Sequence, residues 1–361
     1  MNNSLGKKDS GIYRTGDVIL VNSALGSPGA GWTNVNSVTQ VGSQSRLGKI
    51  LGSPVQFWNT QTSNFFGASI IYSVAYGNGV WVAGAAAGAL RTSTNDGVTW
   101  NTQTSNFGAS NIRSVVYMNG VWVAGGNGGA LRTSTNDGVT WNTQTSNFGT
   151  TTILSVAYGN GVWVAGGLGG PLRTSTNNAV TWNTQTSNFS TSNISSVAYG
   201  NGVWVAGGLG GTLRTSTNDA VTWNTQTSNF GTSVIYSVAY GNGVWVAGGD
   251  AGALRTSTND GVTWNTQTSN FGTTNIYSVA YGNGVWVAGG LGGTLRTSTD
   301  NAVTWNTQTS NFGTSNINTV AYGNGVWVAV GDSATLRTST ERVFSITAST
   351  TIGGYTWWIK T

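Results

Sequence analysis

Short runs in which apolar and polar residues alternate fill the chain from residue 55 to residue 342, separated by clusters of Gly, Asn, Ser and Thr. One stretch shows the pattern. Residues 276–281 (IYSVAY) alternate and are rich in β-branched and aromatic side chains, which predicts a strand. Gly282, Asn283 and Gly284 follow, a turn able to supply positive φ. Residues 285–288 (VWVA) predict a second strand, 289–293 (GGLGG) a flexible turn, and 294–298 (TLRTS) a third strand. Another turn at 299–302 leads to a fourth strand at 303–307 (VTWNT), and QTSNFGTSN connects it to the next copy.

The phrase recurs seven times with a period of 41 residues, marked by Trp81, Trp122, Trp163, Trp204, Trp245, Trp286 and Trp327. A second series, Trp58, Trp100, Trp141, Trp182, Trp223, Trp264 and Trp305, keeps the same spacing after a first step lengthened by the inserted Phe66. Four short strands per 41-residue copy predict an all-β chain forming a seven-bladed β-propeller. The ends favour a ring over an open stack. The last copy holds three strands (317–322, 326–330 and 335–340) and then runs into ERVFSITAST where VTWNTQT is due. The missing fourth strand stands at the start instead, as residues 55–60 (VQFWNT). An N-terminal strand that completes the last blade closes the ring and removes a free sheet edge. This division gives an N-terminal attachment segment at 1–54, the propeller at 55–342 and a C-terminal β-rich tail at 343–361.

Burial with a period of two places the tryptophans of the second and fourth strands between neighbouring blades, where each buries on the order of 200 Å². The small Ser, Val and Ala residues of the first strand suit the crowded centre of the ring. Charged residues make up 7% of the chain, against roughly 25% in an ordinary soluble domain. Hydroxyl and amide side chains take their place. The net charge of +5 comes mostly from the ends, with Lys7, Lys8, Arg14, Arg46 and Lys49 against Asp9 and Asp17, and Lys360 in the tail. No basic stripe results, so nucleic acid is not an expected partner. Nor is membrane insertion expected, since no apolar run has transmembrane length. The first residues lack the apolar core of a secretory signal.

The third turn of six copies reads like STNDGVTW at residues 134–141. It resembles the Asp-box, the S-x-D-x-G-x-T-W signature of neuraminidase-type β-propellers such as sialidases and sortilin-type receptors. The resemblance implies a structural hairpin in which the acidic side chain accepts backbone N–H bonds and the Trp packs beneath. Here the acid is replaced by Asn95, Asn136, Asn177, Asn218 and Asn259 and kept only as Asp300. Asn can make the same local bond. Ala179, Ala220 and Ala302 replace the box Gly, at a cost of up to about 1 kcal/mol each where φ is positive. More loosely, SVAYGNGVWVAGG is similar to propeller repeats of bacteriophage tail and virion proteins, and the ends look like the attachment segments of phage fibres. That resemblance implies a tail fibre or receptor-binding component of a virion, made in the host cytoplasm, held to other virion proteins by its terminal segments and presenting the ring to a host glycan or receptor. Oligomerisation is compatible with this reading. A multivalent lectin and an intracellular scaffold are the alternatives.

Catalysis is not expected. With no histidine and no cysteine, His-ligated metals, His-dependent triads and thiol chemistry are excluded. Glu341 is the only Glu. The acids are turn residues spread over separate blades, so no carboxylate pair suited to glycoside hydrolysis is forced together. No metal or cofactor is expected. Arg91, Arg132, Arg173, Arg214, Arg255, Arg296 and Arg337 occupy one equivalent place. They cannot converge on one ligand as sialidase arginines do, and bonding to loop carbonyls is their expected role. Copies differ most at two places that share one face: the turn position of Asn127 and Asp250, and the strand-start position of Arg113, Tyr236 and Tyr277. Loops on a rigid scaffold carry function, so Asp250, Tyr236, Tyr277 and Arg113 are the expected ligand-binding residues.

Overall fold

The computed structural model describes residues 18–22, 32–34, 57–61, 66–340 and 355–360 of the chain. The chain divides into two compact units, Trp58–Ser339 and a second formed by Met1–Phe57 with Thr340–Thr361. Apart from Phe57 and Thr340, which end blade strands, the described part of the second unit is a three-stranded antiparallel sheet. Tyr355–Lys360 lies in its middle, between Val18–Asn22 and Trp32–Asn34.

The larger unit holds seven four-stranded sheets, the expected blades. Blade one is Ile71–Gly77, Val80–Ala85, Leu90–Ser93 and Asn101–Gln103, each strand antiparallel to the next. Its first hairpin turns through Asn78 and Gly79 at φ 48° and 80°. That is the double positive φ of a two-residue turn matched to strand twist, and Asn-Gly meets it at least strain. In blades one to six the fourth strand is shorter than expected; in blade six it is Asn306–Thr307 rather than 303–307. The preceding residues belong to the turn. Thr304 N–H donates to Asp300 Oδ1 at 2.9 Å and Trp305 Nε1–H to the Ala302 carbonyl at 3.0 Å.

Blade seven is Ile317–Gly323, Val326–Gly331, Leu336–Thr340 and, as its fourth strand, Phe57–Thr60. The N-terminal strand therefore closes the ring. Gln61 N–H donates to the Leu336 carbonyl at 3.2 Å, and Asn311 Nδ2 to the Trp58 carbonyl at 2.6 Å. Blade-to-blade packing repeats without a break. Val80, Val82 and Leu90 of blade one meet Ile112, Val115, Trp122 and Trp141 of blade two. Val328, Val330 and Leu336 of blade seven meet Ile71, Val74, Trp81 and Trp100 of blade one. A methyl group at Gly77 would stand 2.1 Å from the Tyr117 ring, and one at Gly323 2.2 Å from Tyr76. Each of those glycines is thus the seat of the next blade's tyrosine, across the closure as elsewhere. The first strands of adjacent blades lie side by side all round and so surround the axis.

Candidate functional site

The two faces of the ring differ in kind. On the first, side chains tie the turns to one another. Asn78 Nδ2 donates to Asp137 Oδ1 of the next blade at 2.8 Å, and Asn160 to Asp219, Asn201 to Asp260 and Asn324 to Asp96 at 2.8 to 2.9 Å. These acids are spent on inter-blade bonds. The box turns are equally self-contained. Asn95 Oδ1 accepts from Ser93 Oγ at 3.0 Å and Thr99 N–H at 2.9 Å, while its Nδ2 donates to Thr99 Oγ1. Asn136, Asn177, Asn218 and Asn259 repeat the arrangement. At Asp300, burial pushes the carboxyl up, but bonds from Thr304 and Ser298 outweigh it and hold the group below its ordinary range. Ala179, Ala220 and Ala302 stand at φ 62°, 63° and 65°, so the three replacements do sit in the left-handed region.

The arginines are clamps. Arg132 Nε and Nη2 donate to the Asn106 carbonyl at 3.0 and 2.7 Å, and the guanidinium lies 5.0 Å over the Phe107 ring. Arg173, Arg255, Arg296 and Arg337 hold the equivalent Asn carbonyls with the same two donors. Desolvation lowers the pKa of every member of the series. The expectation of bonding to loop carbonyls agrees with these contacts. The stacking on Phe was missed, although a Phe stands in every blade-to-blade connection as regularly as the Arg in every third strand.

The second face carries the differences between copies. The second residue of each first strand lies half-buried at this mouth of the ring: Tyr72, Arg113, Leu154, Ser195, Tyr236, Tyr277 and Asn318. Beside each stands the first residue of the second turn: Ala86, Asn127, Leu168, Leu209, Asp250, Leu291 and Asp332. Where the strand residue is polar and can reach, the pair bonds. Arg113 Nε donates to Asn127 Oδ1 at 3.0 Å, and Asn318 Nδ2 to Asp332 Oδ1 at 2.9 Å.

In blade five, Asp250 Oδ2 accepts the Val234 N–H at 3.0 Å. Burial, a hydrogen bond to Asp250 and that carboxylate's charge together push the Tyr236 phenol far above its ordinary range. The Tyr236 and Tyr277 rings meet edge to face with centroids 5.2 Å apart. The structure thus brings Asp250, Tyr236 and Tyr277 into one group. Arg113 belongs to another, three blades away, with its guanidinium 4.1 Å over the Tyr72 ring. Tyr72 and Asp332 went unselected at the sequence level, though they occupy the same variable places as the selected residues. Among the described residues, no three His, Cys, Asp or Glu side chains converge to hold a metal.

Comparison with known proteins bears on the fold. Residues 55–206 match the DUF6242 beta propeller domain. No curated protein matches the chain. Among solved structures, it is similar to YCF48 from Cyanidioschyzon merolae, at 14% identity over 79% of this chain and 98% of that one, with a TM-score of 0.63. A structure of YCF48 bound to D1 peptide is similar at 13% identity, over 80% of this chain and 96% of that one, with a TM-score of 0.66. A computationally designed protein, Ika8, is similar at 12% identity, over 78% and 98%, with a TM-score of 0.56. At such identities the likeness carries the propeller fold and nothing finer.

Proposed function

We propose that this chain is a non-enzymatic binding protein that receives its partner at the second-face mouth of the propeller. One observation carries the reading: seven equivalent positions hold Tyr72, Arg113, Leu154, Ser195, Tyr236, Tyr277 and Asn318, and the turn residue beside each varies too, while the rest of the strands and the first-face turns repeat nearly unchanged. A mouth that differs from blade to blade suits one asymmetric partner better than a ligand bound once per blade. A protein segment is the favoured partner, and the propeller seen with a peptide bound is a precedent for the fold used in this way.

The finer assignment rests on sequence character. The low charge, the hydroxyl- and amide-rich surface, the Asp-box-like turns and the phage-like phrasing of the repeat support a tail-fibre or receptor-binding role on a virion. The terminal segments, 1–54 and 343–361, are then its attachment to other virion proteins. Synthesis in the host cytoplasm and release by lysis are part of the same proposal. Absent histidine and scattered acids support the non-enzymatic part.

Immunogold electron microscopy of particles released from the producing cells tests the placement, and labelling of tail tips is expected. Gold confined to cell debris, with none on particles, overturns it. Flow cytometry of the labelled protein on a panel of bacterial cells tests the binding role. Attachment that is competed by free glycans but unchanged by mouth substitutions favours the lectin alternative.

A further inference from the structure

Blades five to seven hold the elements of a receptor for a basic side chain, and the chain itself shows how the seat is used. Arg113 stands one repeat after Tyr72, and its guanidinium lies 4.1 Å over the Tyr72 ring. Tyr277 occupies the same strand position as Tyr72. One repeat after Tyr277 comes Asn318, a side chain too short to reach back over a ring. Its amide is engaged elsewhere, donating to Asp332 Oδ1 at 2.9 Å and the Ile71 carbonyl at 3.1 Å. Among the described residues, no Arg or Lys lies over Tyr277, so the place that a guanidinium fills in blade two has no cation in blade seven.

The surroundings are those a cation needs. On one side the Tyr277 ring meets Tyr236, which is hydrogen-bonded to Asp250, and on the other the next blade's strand residue, Asn318, holds Asp332 as Arg113 holds Asn127 beside Tyr72. The partners of Asp250 are the Val234 N–H and the Tyr236 hydroxyl, and those of Asp332 are the amides of Asn316 and Asn318. All are neutral, and a carboxylate has room for more than two bonds. Half-buried carboxylates beside an electron-rich aromatic wall attract a cation more strongly than the same groups do in open water. The group is also held in place. Asn275 Oδ1 accepts the Ala251 N–H at 2.9 Å, tying the turn of Asp250 to the start of the strand that carries Tyr277.

We infer that the mouth binds an arginine side chain presented by a protein partner, seated over Tyr277 between Asp250 and Asp332. This rests on the mouth being the binding surface. The partner's residue does from outside what Arg113 does within the ring. Since Arg113, whose partners Asn127 and Tyr72 are neutral, leaves the opposite sector positively charged, an incoming arginine is steered to blades five to seven.

The probe is N-acetyl-argininamide, titrated into the full chain carrying ring-¹³C tyrosine, with N-acetyl-norleucinamide as the uncharged control. The Tyr277 and Tyr236 resonances are assigned by Tyr→Phe variants. Saturable shifts at Tyr277 are expected with the arginine compound alone, weakening as salt is raised. Tyr277→Leu and Asp250→Asn, combined with Asp332→Asn, are each expected to weaken binding about tenfold. Both sets keep the fold, because other copies carry Leu154 and Asn127 at these places. Equal shifts with the norleucine compound, shifts confined to other tyrosines, or none from a folded protein overturn the inference. If mouth substitutions nevertheless abolish cell attachment, the binding surface stands and only the arginine assignment falls. If neither measurement responds, the mouth reading falls with it.

Discussion

Ring closure hangs on Trp58, and its removal has a calculable effect. The side chain is 1% exposed and packs with Val287 and Leu295 of blade six and with Ile317 and Trp327 of blade seven. Burying about 200 Å² at about 25 cal/mol per Å² stabilises the ring by about 5 kcal/mol relative to an exposed indole. Measured Trp-to-Ala replacements in cores cost about 3–5 kcal/mol, since part of the cavity relaxes. Trp58→Ala is therefore expected to cost about 4 kcal/mol. At about 2–4 °C per kcal/mol for a domain of this order, that lowers Tm by roughly 10 °C. The assay is calorimetry beside urea titration, with Trp223→Ala as the paired control. Trp223 has the same 1% exposure at the same place in blade four, far from the chain ends. If Phe57–Thr60 is an integral fourth strand, the two variants lose equal stability. A Trp58→Ala cost below about 1 kcal/mol beside a full cost at Trp223 would refute the closure argument, because a loosely attached strand frays before the ring melts.

Three further outcomes follow from the same contacts. Arg132→Ala, which loses two bonds to Asn106 and the stack on Phe107, should cost about 1–2 kcal/mol in urea unfolding; unchanged stability would return the arginines to a functional role. Gly161→Ala, at φ 81° with open space around it, should cost about 1–2 kcal/mol from backbone strain alone; no loss would mean that the turn can re-form otherwise. Asp300 has its folded pKa held below the unfolded value, so its contribution is present above the ordinary carboxylate range near pH 4 and lost as pH falls through the lowered value. Asp300→Asn should leave stability at pH 7 within about 0.5 kcal/mol and flatten the acid limb of the pH–stability curve, whereas an unchanged acid limb would contradict the assignment.

Much of this was legible in one sequence because the repeat states each blade's contacts seven times. The displaced strand containing Trp58 announced closure, and positive φ at Ala179, Ala220 and Ala302 followed from the glycines they replace. The Asn78–Asp137 bond was not legible. Its partners lie in different turns of different blades, and only the placement of blade two against blade one brings them together. The fourth strands of blades one to six came out shorter because the turn takes their leading Thr and Trp for its own hydrogen bonds, a competition that alternation does not register. The mouth was half legible. Variation picked out Tyr236, Tyr277, Asp250 and Arg113. The matched changes fourteen residues apart, Arg113 with Asn127 and Asn318 with Asp332, would have revealed the cross-strand pairs and brought in Asp332.

The central claim is that the mouth of the second face is the binding surface. It is tested most directly by exchanging residues among copies of the same chain. Tyr236→Ser with Asp250→Leu gives blade five the pair of blade four, Ser195 and Leu209, and Tyr277→Leu with Leu291 gives blade six the pair of blade three, Leu154 and Leu168. Every new residue already occurs in an equivalent setting, so the ring should melt within a few degrees of the parent. Cell attachment of this triple variant is measured by cytometry beside a first-face variant, Asn160→Ala with Asn201→Ala. The account predicts that attachment falls at least tenfold for the mouth variant and is unchanged for the first-face variant. Full attachment by a folded mouth variant would contradict it.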